Sequence, residues 1–174
     1  EDLLITDESG PIGLAGVMGG ESTEIDPAVS TNVLVEAANF DPVTIARSAR
    51  RHKLPSEASR RFERGVDPKV AGPAVARVVQ LLVDLAGGTA DTLGSSIDES
   101  VAPAAIDLPE GYVEGLIGVA FSADEITTSL AAIGATVEAT GTGWRVTPPT
   151  WRPDLTFPAA LAEEVARIVG YDRI

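Results

Sequence analysis

The feature that most limits how this chain of 174 residues can fold is the segment Asp98–Ala105, Asp-Glu-Ser-Val-Ala-Pro-Ala-Ala. Its acids, serine, proline and alanines follow neither helical nor alternating apolar spacing, so a single continuous core cannot run through it. Two regions result, each of which must bury its own apolar residues, and we place the domains at 1–98 and 104–174.

In the first region Leu3–Thr6 and Ile12–Val17 are short apolar runs separated by Asp7-Glu8-Ser9-Gly10-Pro11, a cluster of turn formers that predicts a hairpin. Val17-Met18-Gly19-Gly20-Glu21 then leaves the second strand as a glycine loop. Val33–Ala38 predicts a buried strand, with Glu36 an acid among apolar neighbours. Pro42 follows Asp41 as at a helix start, and up to Lys53 the apolar Ile45, Ala46 and Ala49 oppose Arg47, Arg50 and Arg51. Leu54-Pro55 ends that helix, Ser56 is placed to cap a second one running to Arg64, and Gly65 closes it. Helical spacing of Val75, Val78, Val79, Leu82 and Leu85 predicts a third helix from Pro68 to Leu85, before a strand-like stretch at Thr92–Ile97.

In the second region Ser122 opens a helix over Ala123–Ile133, stopped by Gly134. Ala135–Ala139 and Gly143–Thr147 form a hairpin around Thr140-Gly141-Thr142, and Phe157–Val169 is a last helix. The expected class is therefore α+β: a mixed sheet with three helices, then a small α+β domain with helices and a β-hairpin.

Composition removes several chemistries. There is no cysteine, so thiolate nucleophiles, disulfides and cysteine zinc sites are excluded, and the lone His52 excludes a multi-histidine metal centre. No Gly-x-Ser-x-Gly elbow supports a serine nucleophile, and no Gly-x-x-x-x-Gly-Lys loop cradles phosphate. No run approaches the ~18 apolar residues that span a bilayer, and there is no signal-like start. The expectation is a cytoplasmic protein without a membrane partner, read from Glu1 as beginning in mid-sequence. A net charge of −13 disfavours broad polyanion binding. Yet seven of the thirteen basic residues, Arg47, Arg50, Arg51, Lys53, Arg60, Arg61 and Arg64, lie between positions 47 and 64, an island able to hold a nucleic-acid end locally.

Three stretches carry a resemblance. Gly16-Val17-Met18-Gly19-Gly20, Val35-Glu36-Ala37-Ala38-Asn39-Phe40-Asp41-Pro42 and the run Ala49–Pro68 closely resemble the second half of the editing domain in the bacterial phenylalanine–tRNA ligase β-chain family. Ala132-Ile133-Gly134, Pro148-Pro149-Thr150-Trp151-Arg152-Pro153-Asp154 and Glu163–Asp172 resemble the small domain that follows it there. The resemblance implies hydrolysis of tyrosine wrongly attached to phenylalanine tRNA, an α subunit as partner in a heterotetramer, and ATP bound only by that α subunit. It also implies that further pocket residues, a histidine among them, come from a part of the domain upstream of Glu1, so that this chain by itself deacylates little.

Residue by residue, Glu36 matches the position that receives the tyrosine hydroxyl, while Gly19, Gly20, Ser56 and Ala58 match pocket positions. A pocket built around such a hydroxyl can discriminate by ~10⁴–10⁵-fold, because the analogue without it leaves a buried partner unpaired. The plainer alternative for Glu36 is a pair with a structural arginine. Ser56 is equally explained as a helix cap, Ala58 as a small core residue, and His52 as a surface residue. Arg47, Arg50, Arg51, Arg60 and Arg61 either hold tRNA phosphates or lie on solvated faces paired with Glu57 and Glu63.

For the second domain the resemblance implies a magnesium ion held by acids at Asp154, Glu163 and Glu164, with Ala160 at the fourth family position and so one ligand fewer. The alternative is that Asp154 caps the last helix and Glu163 or Glu164 pairs with Arg167. A different class of function also fits the pattern: a non-catalytic module in which the second domain docks the α subunit or nucleic acid and the first is only a scaffold.

Overall fold

The structure, a computed structural model, describes residues 1–174, which fall into two compact units, 1–98 and 99–174. Each contains a three-stranded sheet and three helices, and both sheets are antiparallel throughout rather than mixed.

In the first unit β1 (Leu4–Asp7) and β2 (Gly10–Leu14) make the expected hairpin. Asp7 closes its turn by accepting from the backbone and hydroxyl of Ser9 at 2.7 and 2.6 Å. The second strand stops at Leu14; Ala15–Val17 turns, and β3 (Met18–Gly19) folds back on β2, pairing Gly19 with Gly13.

Helix α1 (Pro42–His52) begins as its sequence dictates, with Pro42 in the first turn and Asp41 accepting from the Thr44 amide and hydroxyl at 2.8 and 2.6 Å. Helix α2 (Glu57–Phe62) carries a capping box between Ser56 and Ser59. The small core joins Val17, Ile45 and Ala49 to Leu14, Phe40 and Phe62, the two rings 5.1 Å apart and tilted by 56°.

Helix α3 (Ala71–Ala86) forms where the valine and leucine spacing predicts it, but buries no residue, and Val78, Leu81, Leu82 and Leu85 are exposed. Two expected strands do not form. Val33–Ala38 and Thr92–Ile97 are irregular, with Leu34 90% and Ile97 84% exposed, because no neighbouring strand is present to take up their backbone hydrogen bonds. Glu36 is consequently exposed, which corrects the expectation of a buried acid.

The second unit is the better packed. Its sheet has the order β4 (Ile106–Pro109), β6 (Gly143–Thr147), β5 (Thr136–Thr140), and helices α4 (Tyr112–Ile117), α5 (Ala123–Ala132) and α6 (Pro158–Val169) complete it. Leu108, Val113, Leu130, Val146, Leu161 and Val165 are almost fully sealed in one core. Ser122 caps α5 with Glu125 reaching back, a capping box, and the β5–β6 hairpin has the expected register. Apolar spacing does not announce β4 or α4, since each offers too few residues for a period to emerge. No helix is long and apolar enough to cross a membrane.

Candidate functional site

A cavity of about 410 Å³ opens in the first unit between the hairpin, the glycine turn and α2. Its apolar wall comes from Ile5, Ile12, Leu14, Phe40 and Phe62, and its polar atoms include Thr23 and Glu36. Gly19, Glu36 and Ala58, distant in sequence, all border it. A Cβ built on Gly19 would meet no atom within 4 Å, so the backbone at this point is open to a ligand. Glu36 makes no ion pair or hydrogen bond, and its carboxylate is free to accept a donor.

Gly20 and Ser56, expected at the same cavity, do other work. Gly20 lies against β2, where its amide donates to the Ile12 carbonyl at 2.8 Å and a Cβ would come within 2.6 Å of that oxygen. It is a glycine because a strand backbone leaves no room, and its N–H is already engaged. Ser56 caps α2 and donates from its hydroxyl to the Val17 carbonyl at 2.6 Å, tying the glycine turn to the helix that carries Ala58. Met18, Ile5, Ile12 and Phe62 are cavity residues that sequence reasoning missed. Alternation along the hairpin was the available signal for the isoleucines.

The basic island divides in two. Arg51 and His52 both turn to Asp2, at 2.6 and 2.9 Å, and Ser48 adds a third hydrogen bond at 2.6 Å. These contacts, the Ser48 hydroxyl foremost, hold the Asp2 carboxyl at about 2. Arg60 meets Glu57 at 3.1 Å, and Arg50 approaches Glu63 at 3.9 Å. Arg47, Arg61 and Arg64 make no close ion pair, although Arg47 is near enough to Asp41 to help lower its carboxyl, and their guanidinium groups remain available to an anion.

In the second unit the three acids do not converge. Both Asp154 oxygens accept from Arg152, at 2.9 and 2.6 Å. Glu164, only 4% exposed, accepts from Arg152 at 3.0 Å and from Arg167 at 3.2 and 2.6 Å. Arg152 first and Arg167 next hold its carboxyl at about 2. Glu163 lies apart and accepts from the Tyr171 hydroxyl at 2.6 Å, which raises that phenol above its ordinary range. No group of three or more acids or histidines is gathered to hold a metal, so the residues present do not fit the magnesium ion that the resemblance implies. Asp154 does not cap α6 either; that helix begins at Pro158, and Phe157 before it supplies no side-chain cap.

Comparison with known proteins gives these sites a context. The B3/4 domain family matches residues 1–87, and the tRNA synthetase B5 domain family matches residues 106–171. The chain belongs to the phenylalanine–tRNA ligase beta-subunit family. Over its full length it is 68% identical to the phenylalanine–tRNA ligase beta subunit of Leifsonia xyli, 51% to that of Streptomyces avermitilis and 49% to that of Thermobifida fusca. It spans about a fifth of the length of these relatives. The cavity lies in the B3/4 match and the arginine–carboxylate cluster in the B5 match, so both features sit in parts of the chain that carry the family's signature.

Proposed function

We propose that residues 1–98 supply one wall of a hydrolytic editing pocket in a phenylalanine–tRNA ligase, and that the cavity takes the tyrosyl side chain of mischarged phenylalanine tRNA. The observation that carries this reading is the unpaired Glu36 carboxylate on the rim of an apolar cavity also bordered by Gly19 and Ala58. An apolar floor with a carboxylate at its rim suits a phenol: the ring is desolvated against Phe40, Phe62 and Ile5, and its hydroxyl donates to Glu36. Phenylalanine would fill the floor equally but offer Glu36 no donor; because Glu36 is exposed in this chain, that difference selects only where the rest of the pocket shields the carboxylate from water.

Water is the nucleophile in this scheme, attacking the ester carbonyl and releasing tyrosine and the tRNA hydroxyl. The open backbone at Gly19 lets the ester approach closely. Arg47, Arg61 and Arg64, with the loosely paired Arg50 and with Arg60, whose bond to Glu57 is on the exposed surface, supply the positive surface for terminal phosphates of the tRNA. Residues 99–174 take a different part. Arg152, Arg167 and Arg173 are hydrogen-bonded to carboxylates and Arg145 lies 3.7 Å from Asp107 with both side chains exposed; to this unit we assign contact with the α subunit of the ligase and with tRNA. ATP-dependent activation of the amino acid belongs to that partner.

The test uses the complete beta subunit assembled with its α partner. Glu36→Ala removes the preference for tyrosyl over phenylalanyl ester while aminoacylation is unchanged, and Ala58→Trp blocks deacylation by filling the cavity. Normal tyrosine removal by both variants would overturn the assignment.

A further inference from the structure

The family resemblance puts a magnesium ion among Asp154, Glu163 and Glu164, and the geometry of this chain disagrees. We propose that the cation of this cluster is internal, the Arg152 guanidinium, and that the cluster binds no magnesium; Arg152 instead acts as a positioning residue that fixes the Trp151 arm on α6.

Four observations lead there. All four oxygens of Asp154 and Glu164 already accept from guanidinium N–H groups, at 2.6 to 3.2 Å. Magnesium requires a near-octahedral set of oxygens at roughly 2.0–2.1 Å and gives up its water reluctantly. It would have to displace two arginines whose planar forks match the carboxylates in shape. Second, the charges of Asp154 and Glu164 are cancelled by Arg152 and Arg167, and only the charge of Glu163 is left beside them, too little to draw a divalent ion out of its water. Third, Glu163 points elsewhere, to Tyr171, and Ala160 on the same helix offers no oxygen. Fourth, the buried position of Glu164 makes a cation beside it obligatory, and Arg152, itself only 22% exposed, fills that need.

Arg152 has a mechanical consequence that a bound ion lacking its side chain would not have. It joins the arm Thr150–Leu155 to α6, because its own backbone is in the arm and its guanidinium grips Glu164. The neighbouring Trp151 lies with its ring across Gly134, at the end of α5, so closely that any side chain at 134 would collide with it. Arg152 thereby holds a half-exposed indole at a set place between α5 and the arm.

The experiment takes the 174-residue chain with Trp144→Phe, leaving Trp151 as the only tryptophan. Magnesium binding is followed by calorimetry and manganese binding by electron paramagnetic resonance. Melting is compared in magnesium chloride and in EDTA at matched ionic strength. No saturable binding and equal melting temperatures in the two buffers are expected. Glu164→Gln, which leaves Arg152 and Arg167 facing a neutral amide, lowers the melting temperature by roughly 5 °C or more in both buffers. Arg152→Lys keeps the charge but loses the fork, and acrylamide quenching of Trp151 rises equally with and without magnesium. One-to-one magnesium binding that Asp154→Asn abolishes would overturn the proposal. So would an Arg152→Lys variant whose Trp151 quenching matches that of the parent.

Discussion

The Ser56 hydroxyl donates to the Val17 carbonyl across 2.6 Å while accepting the Ser59 amide at 3.0 Å. One oxygen thus starts α2 and pins the glycine turn 39 residues earlier in the chain, so the two pieces of the cavity wall cannot move independently. Ser56→Ala is expected to cost about 1–3 kcal/mol, the sum of a lost cap and an unmet carbonyl. Urea unfolding of the 174-residue chain measures the loss, and amide exchange at Val17–Gly19 should quicken. Ser56→Thr should retain most of both.

Gly16 and Gly19 lie three residues apart and should respond differently to alanine. Gly16 has φ +65, and a Cβ there would press on Phe40, Ile45 and Phe62 at 3.0–3.1 Å, whereas Gly19 faces open space. Gly16→Ala is expected to destabilise by about 2–4 kcal/mol, from left-handed strain together with overpacking. Gly19→Ala should stay within about 1 kcal/mol while narrowing the cavity. Thermal melting of both variants checks the contrast.

Two leucines on different helices make a matched pair. Leu161 of α6 is fully buried, and Leu85 of α3 is 82% exposed. Leu161→Ala should cost about 2–5 kcal/mol through the cavity it leaves, and Leu85→Ala less than about 0.5 kcal/mol. Chemical denaturation of the chain distinguishes them. A large loss at Leu85 would mean that α3 is covered in solution.

Acid should unfold the chain through Glu164 and Asp2. In the folded chain both carboxyls sit at about 2, against ordinary values of 4.5 and 3.8, so between those limits the unfolded chain binds more protons than the folded one. The stability they provide is complete above about pH 4.5 and disappears as pH falls towards 2. Glu164→Gln should flatten the upper part of that profile, measured as melting temperature against pH from 6 to 2. An unchanged slope would show that Glu164 is not held in its charged form by its arginines.

Local chemistry was legible wherever neighbours in the chain supply the partner. Asp41-Pro42, Ser56 and Ser122 each start a helix as read, because a cap needs only the amides two or three residues ahead. The Thr140-Gly141-Thr142 turn likewise fixes its hairpin. Val33–Ala38 failed for the opposite reason: a strand is defined by its neighbour, and apolar content alone brings none. Gly20 resembles a ligand-facing glycine in sequence, whereas in space it is β2 that presses on it.

By itself, then, the sequence determined five of the six helices, both hairpins and the kinship, since all of these depend on spacing and on residues close in the chain. Only the tertiary structure decided which charges are free. Whether Glu36 stays unpaired while Glu164 is enclosed by two arginines depends on which side chains meet through space, and electrostatic energy follows that distance rather than position along the chain.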